Sequence, residues 1–252
     1  MKILGFSHIV SEVKDLKKSF KFYDNLGYNV EYEINQNIPN KKQSILFGSP
    51  SKVKVLYLKN KIRPSIGIEL IKHDIQTSAV NPSNIVYGFQ GSSKKHKILT
   101  DFDGNKLVEL PNNLKGQHLF IPVKLISGIY DFYKIPLSLN EISTNSEIYN
   151  ISGDIFDYNK GNILSLNMQT LLPNWHLILH LIEVENDLSR KYLNQIGFSC
   201  FSMITDNFNN INYEDKLIGP FDCIKEIGIV RKPFQISFIS DPGSFFVEFY
   251  KE

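Results

Sequence analysis

The chain has 252 residues and a formal net charge of +2, with 42% apolar and 21% charged residues. That balance excludes an intrinsically disordered chain and leaves no electrostatic footprint for nucleic acid or a membrane surface. Length alone admits one large domain or two of roughly 125 residues each.

The elements follow in order. Leu4 to Val13 reads as a strand in which His8, Val10 and Glu12 share one face and Ile9 and Val13 the other. Asp15 is a plausible N-cap, and Leu16, Phe20, Tyr23 and Leu26 form one face of a helix stopped by Gly27. Tyr28 to Ile34, Ser44 to Gly48, Val53 to Leu58 and Ile66 to Ile71 read as strands, with a polar loop at Asn35 to Gln43. Residues 72 to 83 read as a linker, and a second module begins at Asn84 without a clear helix. Lys97 to Leu110, KILTDFDGNKLVEL, is a pair of apolar runs around an Asp-Gly turn. The third module starts at Gln117, has a polar middle from Asn140 to Gly161, and closes with Ile163 to Met168. A fourth starts at Trp175 with WHLILHLIEV, continues with a helix at Asp187 to Ile196, a strand at Phe198 to Ile204 and a polar loop at Thr205 to Lys216, and ends in two strands around Asp241-Pro242-Gly243.

Two stretches match at a constant offset of 110 residues. His8, Val13 and Phe22-Tyr23 recur as His118, Val123 and Phe132-Tyr133, which marks an internal duplication. The first residues, MKILGFSHIV, are broken by Ser7, His8 and Glu12, which argues against a signal peptide. No window approaches eighteen uninterrupted apolar residues, so a cytoplasmic protein is expected. Cys200 and Cys223 fit a reducing compartment and read as small buried thiols.

The duplicated starts, together with DFDGNKLVEL and DPGSFFVEF, resemble the vicinal oxygen chelate superfamily of glyoxalases, bleomycin-resistance proteins and ring-cleaving dioxygenases. In that pattern a glutamate lies seven residues after the first Asp of the turn. Asp241 to Glu248 matches, and Asp101 to Glu109 carries one extra residue. The resemblance implies an α+β fold of four tandem βαβββ modules, paired into two domains with cupped mixed sheets. Residues 1–112 would form the first domain, expected to be structural, and 117–252 the second, expected to hold the site.

The resemblance also implies one metal held by inward-facing side chains. In the second domain the matching positions are His118, His176 and Glu248, with His180 the alternative to His176. Two imidazoles and a carboxylate leave neighbouring sites open for a substrate chelating through vicinal oxygens, and Fe(II) suits them best, with Mn(II) or Zn(II) as alternatives. A rival set is His8, Glu69 and Glu109. The tyrosine of ring-cleaving relatives is replaced by Phe238, and residues 229–231 hold no histidine, which counts against ordinary catechol cleavage. The expectation is a metal-dependent dioxygenase, isomerase or lyase acting on a small molecule, as monomer or homodimer. The alternatives are a metal-free sequestering protein and a degenerate scaffold, and metal retention separates the first reading from both.

Overall fold

The computed structural model describes residues 3–61, 65–77, 85–134, 137, 139–156, 161–168, 177–185, 192–208, 217–227, 230–240 and 246–251. The first module is β1 (Ile3–Glu12), α1 (Leu16–Asp24), β2 (Tyr28–Asn37), β3 (Lys52–Asn60) and β4 (Gly67–His73). Asp15 caps α1, accepting from the backbone N–H groups of Lys17 and Lys18. Gly27 follows the helix at φ 88°, a conformation that favours glycine. The strand expected at Ser44 to Gly48 is absent. Asn40–Ile45 forms a 3-10 turn instead.

The second module keeps three strands, β5 (Val86–Gln90), β6 (Lys97–Thr100) and β7 (Lys106–Leu110). The third is β8 (Gln117–Val123), α2 (Ile126–Lys134), β9 (Leu139–Ile142), α3 (Ser146–Phe156), β10 (Ile163–Met168) and β11 (Leu177–Glu183). The fourth is β12 (Gly197–Thr205), β13 (Ile218–Ile227), β14 (Val230–Ser240) and β15 (Phe246–Lys251). Both helices of the duplication start after the same interval, Leu16 and Ile126. Phe22-Tyr23 and Phe132-Tyr133 adopt the same edge-on geometry, with centroids 5.1 Å apart in each pair.

Further assignments differ from the sequence reading. The strand at Leu177–Glu183 closes the third module rather than opening the fourth, because it pairs in parallel with β8 as β4 does with β1. The polar stretch from Asn140 to Gly161 contains α3, whose Ile148, Ile151 and Ile155 are buried between polar residues. Of the helix expected at Asp187 to Ile196, residues 192–196 form turns and an isolated bridge from Gln195 to Thr77. Residues 187–191 and the Asp241-Pro242-Gly243 turn lie outside the described residues.

The strands form two sheets. A closed barrel runs β1-β12-β15-β14-β13-β2-β3-β4, and a seven-stranded sheet runs β6-β7-β5-β8-β11-β10-β9. Each sheet therefore takes strands from both 1–112 and 117–252: the first module pairs with the fourth, and the second with the third. Two half-barrels meet where β1 lies antiparallel to β12 and where β2 touches β13. The seven-stranded sheet meets at β5 and β8 and stays open. Three hydrophobic clusters result. One lies between barrel and sheet, with Ile9, Val13, Tyr23, Leu119, Val123 and Tyr133 among its members. A second fills the barrel, and a third joins α3 to the sheet through Phe120 and Ile182.

The Asp-Gly turn fastens the sheet to the barrel. Buried Asp101 accepts from the N–H groups of Asp103 and Asn105, from the Asn105 amide and from the Tyr23 hydroxyl. Asp103 accepts from Lys14 N–H and the Ser19 hydroxyl, while Asn105 donates to Ser11 and accepts from Phe198 N–H. A buried carboxylate is tolerated only with such bonds. Among the described residues no helix is long and apolar enough to cross a membrane.

Candidate metal centre

Alternation along β1 turns Val10 into the barrel cluster and Ile9 and Val13 out into the core against the sheet. His8 shares the inward face and lines a small cavity inside the barrel. Pairing then sets its neighbours. His8 lies opposite Ser202 on β12, Ser202 opposite Glu248 on β15, and Val10 opposite Glu69 on β4. Four adjacent strands thus present Glu69, His8, Ser202 and Glu248 to one interior. Among the described residues, His8, Glu69 and Glu248 are the one group of three histidine, cysteine or carboxylate side chains whose ligand atoms lie within 4.8 Å of one another.

His8 Nε2 is 3.4 Å from Glu69 Oε2 and 3.3 Å from Glu248 Oε1. It is fully buried and has no hydrogen-bond partner among the described residues. On the other side of the ring, His8 Nδ1 lies 2.8 Å from Ser7 Oγ. The Ser202 hydroxyl donates to Glu248 Oε1 at 2.7 Å. An imidazole supported at Nδ1, with a bare Nε2 facing two carboxylates, one of them oriented by Ser202, is the donor arrangement of a divalent cation site. These residues fit such an ion.

The electrostatics call for positive charge at this place, from an ion or from His8 itself. Glu69 and Glu248 are both buried, and two carboxylates sharing a buried interior require positive charge. Burial opposes a charge on His8, but the Glu69 and Glu248 carboxylates overcome it and push its pKa up to about 9. Burial, reinforced by Glu69, holds the Tyr32 hydroxyl well above the usual tyrosine range. Burial and then Glu248 push the Cys200 thiol up in the same way. Cys200 and Cys223 are both free and buried, as expected.

The inner cavity that His8, Glu69 and Glu248 line is only about 30 Å³, and a separate cavity of about 380 Å³ lies on the far side of a shared wall. Tyr32 and Tyr250 belong to its wall and to that of the inner cavity. Tyr32 stacks on Tyr57 with centroids 4.5 Å apart and planes 4° from parallel. Gly67 makes room for that ring, since a Cβ there would lie 2.3 Å from the Tyr57 hydroxyl. Lys225 is buried in the same wall and donates to the Tyr250 hydroxyl at 2.6 Å.

Of the residues expected to bind metal, His118 and Glu248 are not brought together. Glu248 is in the barrel, but His118 is on β8 in the other sheet. His118 Nδ1 meets His180 Nε2 at 2.8 Å, His118 Nε2 meets the Lys115 carbonyl, and His180 Nδ1 meets Ser165 Oγ. All four ring nitrogens are therefore engaged, which leaves none to ligate an ion. Burial and then the neighbouring His118 hold the His180 pKa well below the ordinary histidine value. His176 lies outside the described residues. Of the rival set, His8 and Glu69 are in the centre, while Glu109 sits on β7 in the open sheet. Two of the three residues of this group, His8 and Glu69, come from the first module. Ser7, Ser202, Tyr57 and Lys225 carried no signal in the sequence, because only the barrel register brings them to the centre.

No protein-family model matches the sequence, and no curated protein matches it. Among solved structures the chain is similar to glyoxalase I from Zea mays, at 14% identity and a TM-score of 0.56, over 98% of this chain and 92% of that one. It is also similar to a "putative dioxygenase" from Bacillus subtilis subsp. subtilis str. 168, at 11% identity and a TM-score of 0.55, over 99% and 86%. Likeness at these identities rests on backbone architecture rather than on shared side chains. The chain has the vicinal oxygen chelate fold, with its modules paired into one closed barrel and one open sheet.

Proposed function

We propose that the barrel is the catalytic unit of a metal-dependent enzyme acting on a small molecule with vicinal oxygens. One observation carries this reading: His8 Nε2, buried and without a hydrogen-bond partner among the described residues, faces two buried carboxylates in an inner cavity that shares Tyr32 and Tyr250 with a cavity large enough for a small substrate. His8, Glu69 and Glu248 would hold the ion. One imidazole and two carboxylates are a harder donor set than the two imidazoles expected, which moves the preference from Fe(II) towards Mn(II), with Zn(II) as the further alternative. When bound, such an ion chelates two neighbouring oxygens and stabilises charge developing on them.

The chain's own residues supply the rest. Ser7 and Ser202 orient His8 and Glu248, and Tyr32 and Tyr57 present stacked rings to the cavity. Phe238 lies directly opposite Glu248 and offers no proton. An isomerase or lyase type is therefore favoured over ring cleavage. The second reading, a metal-free binding protein, draws on the same geometry, since a charged His8 neutralises part of the two carboxylates.

Metal content after anaerobic reconstitution with Fe(II), Mn(II) or Zn(II) tests the proposal. Wild type and His118→Ala should retain about one ion per chain, and His8→Ala and Glu248→Ala should lose it. Metal that follows His118 instead would overturn the assignment. No metal in wild type would leave the binding-protein reading.

A further inference from the structure

Size sets the problem. The inner cavity that His8, Glu69 and Glu248 line measures about 30 Å³, the share of a single water molecule. A molecule with two neighbouring oxygens does not fit there as the barrel stands. The cavity of about 380 Å³ beside it has the room. A ligand held in that larger cavity reaches the three side chains only if the wall between the two cavities opens.

Tyr32 and Tyr250 face both cavities, and Phe234 faces the inner one. Lys225, which lines the larger cavity, joins all three. Alternation along β13 buries Cys223 and Lys225 and exposes Ile224 and Glu226, so a lysine that is 6% exposed points into the barrel. Its ammonium donates to the Tyr250 hydroxyl at 2.6 Å. It lies 5.4 Å from the centroid of the Tyr250 ring, 5.5 Å from that of Tyr32 and 5.9 Å from that of Phe234. One ammonium thus ties β13 to side chains of β15, β2 and β14. Aromatic faces and a hydroxyl hold a desolvated ammonium firmly but without a fixed covalent or bidentate geometry. Glu31, Lys59 and Asp206 line the larger cavity too, so a swing of the flexible lysine stem carries the charge into polar rather than apolar surroundings.

We infer that Lys225 is the latch of a gate between the two cavities. Seated on Tyr32, Phe234 and Tyr250, it holds the wall closed. Swung into the larger cavity, it releases Tyr32 and Tyr250 to part and admits a small molecule to His8, Glu69 and Glu248. That the molecule meets a metal there rests on the reading above; the gate itself does not.

Two native thiols supply the test. Cys223 is 4% exposed and lines the inner cavity, whereas Cys200 is fully buried in the barrel cluster and is not part of that lining. The metal-free full chain is treated with methyl methanethiosulfonate, and the labelling rate of each cysteine is read by peptide mass spectrometry. Cys223 should react about tenfold or more faster in Lys225→Ala than in wild type, with Cys200 unchanged. Tyr250→Phe, which keeps the ring and removes the hydroxyl, should speed Cys223 by a smaller factor. Equal Cys223 rates in wild type and Lys225→Ala would overturn the inference. So would Cys200 accelerating in step with Cys223, which marks opening of the whole barrel. Where Lys225→Ala does not fold, Tyr250→Phe decides by the same two comparisons. Mn(II) uptake is measured on the same proteins and should be equal in wild type and Lys225→Ala. Wild type that takes up no Mn(II) would overturn the metal reading alone, and the thiol rates would still judge the gate.

Discussion

The barrel and the open sheet begin from the same sequence motif and reach opposite ends. His8 on β1 and His118 on β8 occupy equivalent positions of a duplication, and each strand pairs in parallel with the last strand of its module. In the barrel, the first module closes against a four-stranded fourth module, and the interior keeps room for His8, Glu69 and Glu248. In the sheet, the third module meets a three-stranded second module, closure fails, and α3 covers the face that carries His118 and Phe120. There His118 stacks on His180 at 5.1 Å between centroids and is spent on hydrogen bonds. The difference teaches that what a histidine faces is set by what its partner module brings, not by its own motif.

The largest expected effect sharpens this contrast directly. Glu248→Ala should weaken Mn(II) or Zn(II) binding by at least about 100-fold, while His118→Ala leaves it unchanged, as read by equilibrium dialysis. Equal losses in both variants would break the comparison. Next in size, Asp101→Ala should cost about 3 kcal/mol in urea denaturation, because it orphans Tyr23 and Asn105 where sheet and barrel join. His118→Ala should cost about 2 kcal/mol by leaving a buried His180 nitrogen without its partner, with metal affinity intact.

The two histidines also predict opposite pH dependences in the metal-free protein. His8 has a raised pKa, so its contribution is present in full below about 6.5 and is lost as pH rises through about 9. The His180 pKa is lowered, so its contribution is present above about 6.5 and falls by up to about 1.4 kcal/mol per unit as pH drops below that value. Urea denaturation across pH in chelator, on His8→Phe and His180→Phe, should remove the alkaline and the acid slope respectively. Smallest, Asp15→Ala should cost about 1 kcal/mol by uncapping α1. Its counterpart Leu125, 55% exposed before α2, has no side-chain oxygen to offer, and Leu125→Asp should gain about as much in melting experiments.

Much of this molecule was determined by local sequence. Asp15 and Gly27 bound α1, alternation placed His8 and Val10 on one face, and the 110-residue offset revealed that one unit had been copied. Those features depend on neighbours within a turn or two, so residue spacing reports them. Glu248 and Glu69 were visible as strand carboxylates for the same reason. What spacing could not report was which strand lies beside which. Leu177–Glu183 looks like an opening strand because it begins after a histidine and is apolar throughout, yet parallel pairing with β8 makes it a closing one. The pairing of first module with fourth, which puts Glu69 and Glu248 on either side of His8, is decided by long-range burial shared between barrel and sheet. The sequence by itself determined the modules, their helices and a stock of candidate ligands. The tertiary structure alone decided which three meet, because a metal site is a fact of register across strands far apart in the chain.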